Sequence, residues 1–203
     1  ISSISHSKSR RSILDVGCAY GPFLSCAAEK GWQVYGIDPC FDAVKYVQTK
    51  LLFPCVCGKF PDFDSVKEFG LSKFDAVSMW FVIEHFSDLK TVLTSVSSLL
   101  KDGGVFAFST PSATGVSALK NTENFYIQSP LDHYTIWSGK TAKKILDSFG
   151  FKVVKIVSTG HHPERFPALK NSKENKIKYK IFEKISKIRK YGDTFEVYCK
   201  KVK

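Results

Sequence analysis

The sequence predicts a doubly wound α/β domain around a seven-stranded, mostly parallel sheet. Three observations lead there. From Arg11 to Ser109, short apolar and β-branched runs alternate with segments of helical periodicity, a pattern that requires crossover connections and parallel pairing. The first run passes straight into a glycine-containing turn, Gly17 to Gly21. Finally, 203 residues with 43% hydrophobic content suit one core of ordinary size and would cramp two, so residues 1–203 are expected to form a single domain.

The elements follow in order. Ile13, Leu14 and Val16 mark the first strand, and Phe23, Leu24, Ala27 and Ala28 the helix after the turn. Gln33 to Ile37 is the second strand, followed by a helix from Phe41 to about Lys50. Cys55 to Gly58 reads as the third strand and Phe74 to Phe81, dense in β-branched and aromatic residues, as the fourth. Between Asp88 and Leu100, Leu89, Val92, Leu93, Val96, Leu99 and Leu100 recur at helical spacing. Lys101-Asp102-Gly103-Gly104 should stop that helix, because glycine accepts the left-handed backbone of a helix end. Val105 to Ser109 is the fifth strand. Beyond Pro111 the pattern lapses for about 25 residues, a length that in a compact domain is usually functional. A helix from Gly139 to Phe149, a sixth strand from Phe151 to Val157, a lysine-rich helix over residues 172–190 and a last strand from Thr194 to Val202 complete the chain.

Composition narrows the function classes. No apolar run approaches the roughly 18 residues that span a bilayer, and the basic N-terminus leads into a strand rather than a signal-peptide core, so a soluble, cytoplasmic protein is expected. The six cysteines include no CxxC pair. Cys55 and Cys57 share a strand face but make only half a metal site, and reduced structural thiols are the expectation. The net charge of +11 is concentrated late: Lys and Arg number 15 against 5 acids from Lys152 onward, and 15 against 14 before it.

The chemistry concentrates at Asp15-Val16-Gly17-Cys18-Ala19-Tyr20-Gly21. Glycines where the first strand enters its helix let a ligand approach the backbone closely. The spacing is G-x-A-x-G, and the third glycine of a dinucleotide fingerprint would fall on Pro22. Asp15, two residues before Gly17, would repel a pyrophosphate and attract a sulfonium or ammonium group, which favours S-adenosylmethionine (SAM) over NAD. Asp38, ending the second strand, is placed to accept both ribose hydroxyls or to cap the next helix, and the two roles are compatible.

Ile13-Leu14-Asp15-Val16-Gly17-Cys18, Gly36-Ile37-Asp38, Phe74-Asp75-Ala76-Val77 leading to Val82-Ile83-Glu84-His85, and Leu100-Lys101-Asp102-Gly103-Gly104 together resemble the class I SAM-dependent methyltransferases. More narrowly, the chain is similar to the ubiquinone-biosynthesis O-methyltransferase-like group, which includes small-molecule and sugar methyltransferases. The resemblance, over about residues 11 to 160, implies a Rossmann-like sheet with its last strand antiparallel. It also implies a cofactor site in which Asp15, Gly17, Ala19 and Gly21 wrap the methionine part and Asp38 holds the ribose. Pro39 and Cys40 would lie beside the adenine, Gly58, Lys59 and Phe60 would close its other side, and Trp80 and Phe81 would sit under the sulfonium. Ala19 departs from the family's middle glycine, and Lys59 stands where an Asp is common. Only about 12 residues precede the first strand where relatives carry a helical lid, so a missing lid is expected.

Methyl transfer to oxygen needs the acceptor aligned behind the methyl group and a base for its proton. His85, just past the fourth strand, and His133 with Tyr134, in the irregular segment, are the candidates, with a packing or turn role as the alternative for each. Glu84-His85 resembles the end of an E-x-x-E-H metal motif, but Phe81 occupies the leading glutamate position, so no metal is expected. The stretch Trp80-Phe81-Val82-Ile83 lacks the Pro-Pro-aromatic run of amino-directed nucleic-acid methyltransferases, and no cysteine stands there for C5 chemistry. The expected reaction is therefore methylation of a small, partly apolar acceptor, most plainly at oxygen. A SAM-binding module without catalysis and an RNA-directed enzyme are the alternatives.

In the lysine-rich segment, Ile177, Ile181, Ile185 and Ile188 form one narrow stripe, with Lys173, Lys176, Lys180, Lys184 and Lys187 beside it. The expectation is that the isoleucines pack on the domain and the lysines face outward, as a solvated face or as a weak contact for anionic membrane or RNA.

Overall fold

The computed structural model describes residues 10–169 and 176–202. Its seven strands are β1 (Ser12–Val16), β2 (Gln33–Asp38), β3 (Cys55–Cys57), β4 (Phe74–Trp80), β5 (Leu100–Pro111), β6 (Phe151–Thr159) and β7 (Thr194–Lys201). They form one sheet in the order β3-β2-β1-β4-β5-β7-β6. β7 runs antiparallel between β5 and β6, and the ladders linking β1 to β5 are parallel. The chain winds outward from β1 to β3, then returns to begin again at β4 on the other side of β1. That reversal opens a crevice at the carboxyl ends of β1 and β4, where ligands bind in such sheets.

Helices cover both faces because the strands bury both. Alternate residues of β1, β2 and β4 divide accordingly. Ile13, Val34 and Ala76 pack with Leu24 of α1 (Pro22–Glu29) and Val44 of α2 (Phe41–Tyr46). Leu14, Tyr35 and Val77 pack with Val92, Leu93 and Val96 of α4 (Leu89–Leu99) and with Ala142 and Leu146 of α7 (Gly139–Ser148). Between them lies the short α3 (Ser65–Phe69), which Asp64 caps by accepting from Val66 and Lys67 N–H; its five residues are too few to show a period.

Several boundaries differ from expectation. α4 ends with Leu100 in an extended conformation rather than with a glycine cap. Leu100 pairs with Phe74 and Val105 with Ala76, so Lys101 to Gly104 bulge out of β5, with Gly103 at φ +72°. The ladder captures the chain before the glycines are reached. The irregular segment contains α5 (Val116–Lys120) and α6 (Thr122–Ile127), each too short for periodicity to register. Of the lysine-rich helix, α8 spans Lys176–Arg189; the expected start at residue 172, and Lys173, lie outside the described residues.

The inward packing expected of the isoleucine stripe is overturned. Ile177, Ile181, Ile185 and Ile188 are 74%, 50%, 36% and 68% exposed, whereas Ser186 is fully buried. α8 meets the domain through Phe182, whose ring lies 5.1 Å from that of Phe166, through Ser186, whose Oγ is 2.7 Å from His161 Nδ1, and through Tyr179, which donates to Glu164 Oε2. The surface beneath offers an aromatic ring, an imidazole and a carboxylate, and these select the helix side with a ring, hydroxyls and a small residue.

Asp193 fastens the irregular segment to the sheet. Its buried carboxylate accepts from Ser117 N–H at 2.8 Å, Ser117 Oγ at 2.8 Å and Arg165 Nη1 at 2.6 Å. Removing it takes the acceptor from the half-buried Ser117 N–H and leaves the Arg165 guanidinium with Ser117 Oγ in place of a carboxylate. Asp193→Ala is expected to cost about 2–4 kcal/mol, read as a lower denaturation midpoint with unchanged m-value.

Candidate active site

The turn after β1 is built by hydrogen bonds to the end of β2. Gly17 N–H donates to Ile37 O at 2.8 Å, and Gly17 sits at φ +72°. A Cβ there would run into the Val82 side chain. Ala19 also has a positive φ, +46°, so alanine takes the left-handed conformation of the glycine it replaces, at a cost of order 1 kcal/mol. Asp38 holds it there: Oδ2 accepts from Ala19 N–H and Oδ1 from Cys40 N–H, each at 2.8 Å. The helix-capping alternative is not realised: α2 has Cys40 at its N-cap and no side-chain cap bond, and Asp38 instead makes a turn bond to Cys40 N–H, each of its oxygens retaining a further lone pair.

Asp15 is 2% exposed, and Ser78 Oγ donates to its Oδ1 at 2.7 Å. Burial pushes its pKa up to about 7, against the Ser78 bond and with help from the Asp38 charge. A carboxylate so short of solvation is poised to ionise when a cation arrives.

A cleft of about 810 Å³ opens at the switch between β1 and β4, within the range of roughly 300–1,000 Å³ that holds small ligands. Its lining includes Gly17, Asp38 and Pro39, Gly58, Lys59 and Phe60, and His85, Asp132 and Tyr134. Asp15, Ala19, Gly21, Trp80, Phe81 and His133 stand outside this wall. Trp80 packs on Phe23 with ring centroids 5.1 Å apart, and Phe81, at φ +57° and half exposed, donates its N–H to Ser109. Among the described residues, Trp80 Nε1, Glu84 Oε2 and Thr110 Oγ1 are buried polar atoms without a hydrogen-bond partner. All three lie at the carboxyl ends of β4 and β5, where a ligand or water would satisfy them.

The far end of the cleft is assembled from two distant segments. Tyr134 and Thr135 N–H both donate to Glu84 O, at 2.8 and 3.3 Å. That tether sets the His133 ring edge-on to His85, with centroids 4.8 Å apart. His85 Nδ1 lies 3.2 Å from both the carbonyl and a carboxylate oxygen of Asp132. Both are acceptors, so Nδ1 carries the proton and Nε2 is left as a base. Burial, then the charge of His85, lowers the His133 pKa, and burial raises that of Glu84. Glu84, His85 and His133 offer ligand atoms that all lie within 4.8 Å of one another. Glu84-His85 and His133 are each legible in the sequence, but their meeting across 48 positions is not; Ser78 and Asp132 carry no motif of their own and are not legible there.

A parallel sheet that reverses at β1, with an antiparallel β7, a glycine turn tied to an acidic residue at the end of β2, and a cleft between them define a class I SAM-dependent methyltransferase. Residues 2–156 match the family model described as "Methyltransferase domain", and the chain belongs to that family. It is 31% identical over 163 residues to the mitochondrial ubiquinone biosynthesis O-methyltransferase of Homo sapiens, covering 74% of this chain and 44% of that protein. Against the corresponding Chromobacterium violaceum protein it is 34% identical over 107 residues, 49% of this chain and 44% of that one. The chain therefore spans less than half the length of these relatives. A SAM-dependent methyltransferase of Archaeoglobus fulgidus superposes with a TM-score of 0.64 at 25% identity, covering 96% of this chain and 87% of that one. Magnesium protoporphyrin IX methyltransferase of Synechocystis with bound S-adenosylhomocysteine gives 0.64 at 14% identity, over 95% and 74%. The cofactor of this family is SAM. Among the described residues no helix is long and apolar enough to cross a membrane.

Gly17→Ala introduces a Cβ into the Val82 side chain at a left-handed position and should lower stability by about 1–3 kcal/mol. Ala19→Gly relieves strain at the cost of chain entropy and should change stability by less than about 1 kcal/mol. Paired thermal melts of the two variants measure the contrast.

Proposed function

We propose that the chain transfers the methyl group of SAM to a hydroxyl oxygen of a small, partly apolar acceptor. The observation that carries this reading is that one cleft is lined both by Asp38 and Pro39 and by His85 and Tyr134, so that cofactor-holding and acid–base groups face the same space. Bound SAM supplies the electrophilic methyl group. Asp38 takes the ribose hydroxyls on the lone pairs its two backbone bonds leave open, while Pro39, Gly58, Lys59 and Phe60 flank the adenine. The left-handed turn through Gly17, Ala19 and Gly21 keeps side chains away from the methionine part, and Asp15 answers its positive charge. Trp80 and Phe81 close the sulfonium side. His85 Nε2 accepts the acceptor's proton as the oxygen–methyl bond forms and the sulfur–methyl bond breaks. Asp132 holds His85 in that tautomer, neutral His133 packs behind it, and Tyr134 orients the acceptor hydroxyl. O-methylation in ubiquinone biosynthesis, the function for which the relatives are named, supports oxygen as the target.

The clustering of Glu84, His85 and His133 favours a second reading of the same end, in which they bind a divalent cation. A carboxylate oxygen and two imidazole nitrogens suit Mn²⁺ or Zn²⁺. Loss of activity in chelator with recovery on adding metal would establish it. Activity indifferent to chelator leaves His85 as the base.

Three outcomes test the proposal. Asp38→Ala should weaken SAM binding by about tenfold or more, the worth of one charge-assisted hydrogen bond, measured by calorimetry; binding of NAD but not SAM would overturn the cofactor assignment. SAM affinity should rise about tenfold from pH 6 to pH 8, because the raised pKa of Asp15 keeps it neutral below about 7 and only its ionised form attracts the cation; Asp15→Asn should flatten that dependence. His85→Ala should lower kcat by about 10²–10⁴ against catechols and hydroxylated quinone precursors, with SAM affinity nearly unchanged. Turnover retained in His85→Ala removes the base assignment, and no turnover of any acceptor favours a SAM-binding module.

A further inference from the structure

We infer that α8 is a membrane-surface anchor whose isoleucine stripe inserts among the headgroups of an anionic phospholipid bilayer. At about 100° per residue, Ile177, Ile181, Ile185 and Ile188 centre roughly 140° around the helix from Tyr179, Phe182 and Ser186, the side held by the domain. The stripe therefore faces solvent on the outer side of the helix, as its exposure of 36% to 74% records. Four aligned isoleucines left in water on a helix otherwise rich in lysine are a cost without a return inside the domain.

Charge identifies the occupant. Lys180, Lys184 and Lys187 border the stripe on one side and Lys178 and Arg189 on the other, all exposed. Of the helix's charged residues only Glu183 is acidic, and it pairs with Lys187. The basic surface continues where the helix ends: Lys190 lines a groove with Lys140, Lys143 and Lys155, and no carboxylate is among its walls. An apolar stripe flanked by cations on both sides is the pattern of a helix lying in an anionic interface, its isoleucines below the phosphates and its lysines at their level. RNA would use the lysines but has no use for the isoleucines. This assignment does not depend on the methyl-transfer reading.

The test is co-sedimentation of the full chain with phosphatidylcholine vesicles, alone and mixed with phosphatidylglycerol. Binding is expected only to the mixed vesicles, weakening as salt rises. Replacing Ile181 and Ile185 with serine keeps every charge and should reduce binding by about tenfold or more, with an unchanged thermal melt because both positions are exposed. Ile181→Trp should blue-shift its emission on adding mixed vesicles. Wild-type binding by the double serine variant, or equal binding to both vesicle types, or no binding to either at low salt, overturns the anchor. So does a gel shift with single-stranded RNA that is tighter than vesicle binding and indifferent to the serine substitutions.

Discussion

The carboxylate of Asp38 is the fastening on which the cofactor end of the molecule depends. With one oxygen on Ala19 N–H and the other on Cys40 N–H, it locks the turn after β1 to the turn after β2 across the top of two paired strands. Each bond is charge-assisted and therefore stronger than a neutral one, which is what lets Ala19 remain in a left-handed conformation that alanine disfavours. The glycine at 17 has a different cause, since Val82 occupies the space a side chain would need. One turn thus serves two neighbours: the end of β2 through hydrogen bonds and the loop after β4 through close packing.

The opposite end of the cleft has a corresponding fastening. Glu84 O receives two N–H groups from the segment before α7, and Asp193 anchors the start of that irregular stretch through Ser117 and Arg165. Held at both places, the long connection becomes a wall, and its histidine meets another from a different part of the chain. Burial then differentiates the groups that meet: His133 is driven toward its neutral form, and so is Glu84, while Asp132 fixes the proton on His85. The chemistry of the site is a property of this meeting, because it is burial that shifts Glu84 and His133.

α8 shows how a helix with more than one apolar surface is read by its environment. Phe182 and Tyr179 meet a patch bearing Phe166 and Glu164, and Ser186 fits under His161. Isoleucines in that place would bury the imidazole nitrogen against hydrocarbon with no partner, which costs more than their own exposure. The stripe is consequently turned outward, where the four isoleucines lie exposed beside the lysines of the helix.

The order of the amino acids alone makes legible the alternation of strands and helices, the place of the glycine turn, and Asp38 at the end of the second strand. These are readable because strand and helix periods, and the left-handed turn, are set by neighbours a few residues apart. It also carried enough ordered motifs to imply the family. Long-range packing, in contrast, dictates that Glu84, His85 and His133 converge, that Asp15 is buried with Ser78 rather than lining the cleft, that the glycines of the Lys101–Gly104 stretch form a bulge in β5 instead of a helix cap, and that the isoleucines of α8 face water. Each of these depends on which surface lies opposite. Periodicity records that a face is apolar, but whether that face is the buried one is settled by complementarity with a partner far away in the chain.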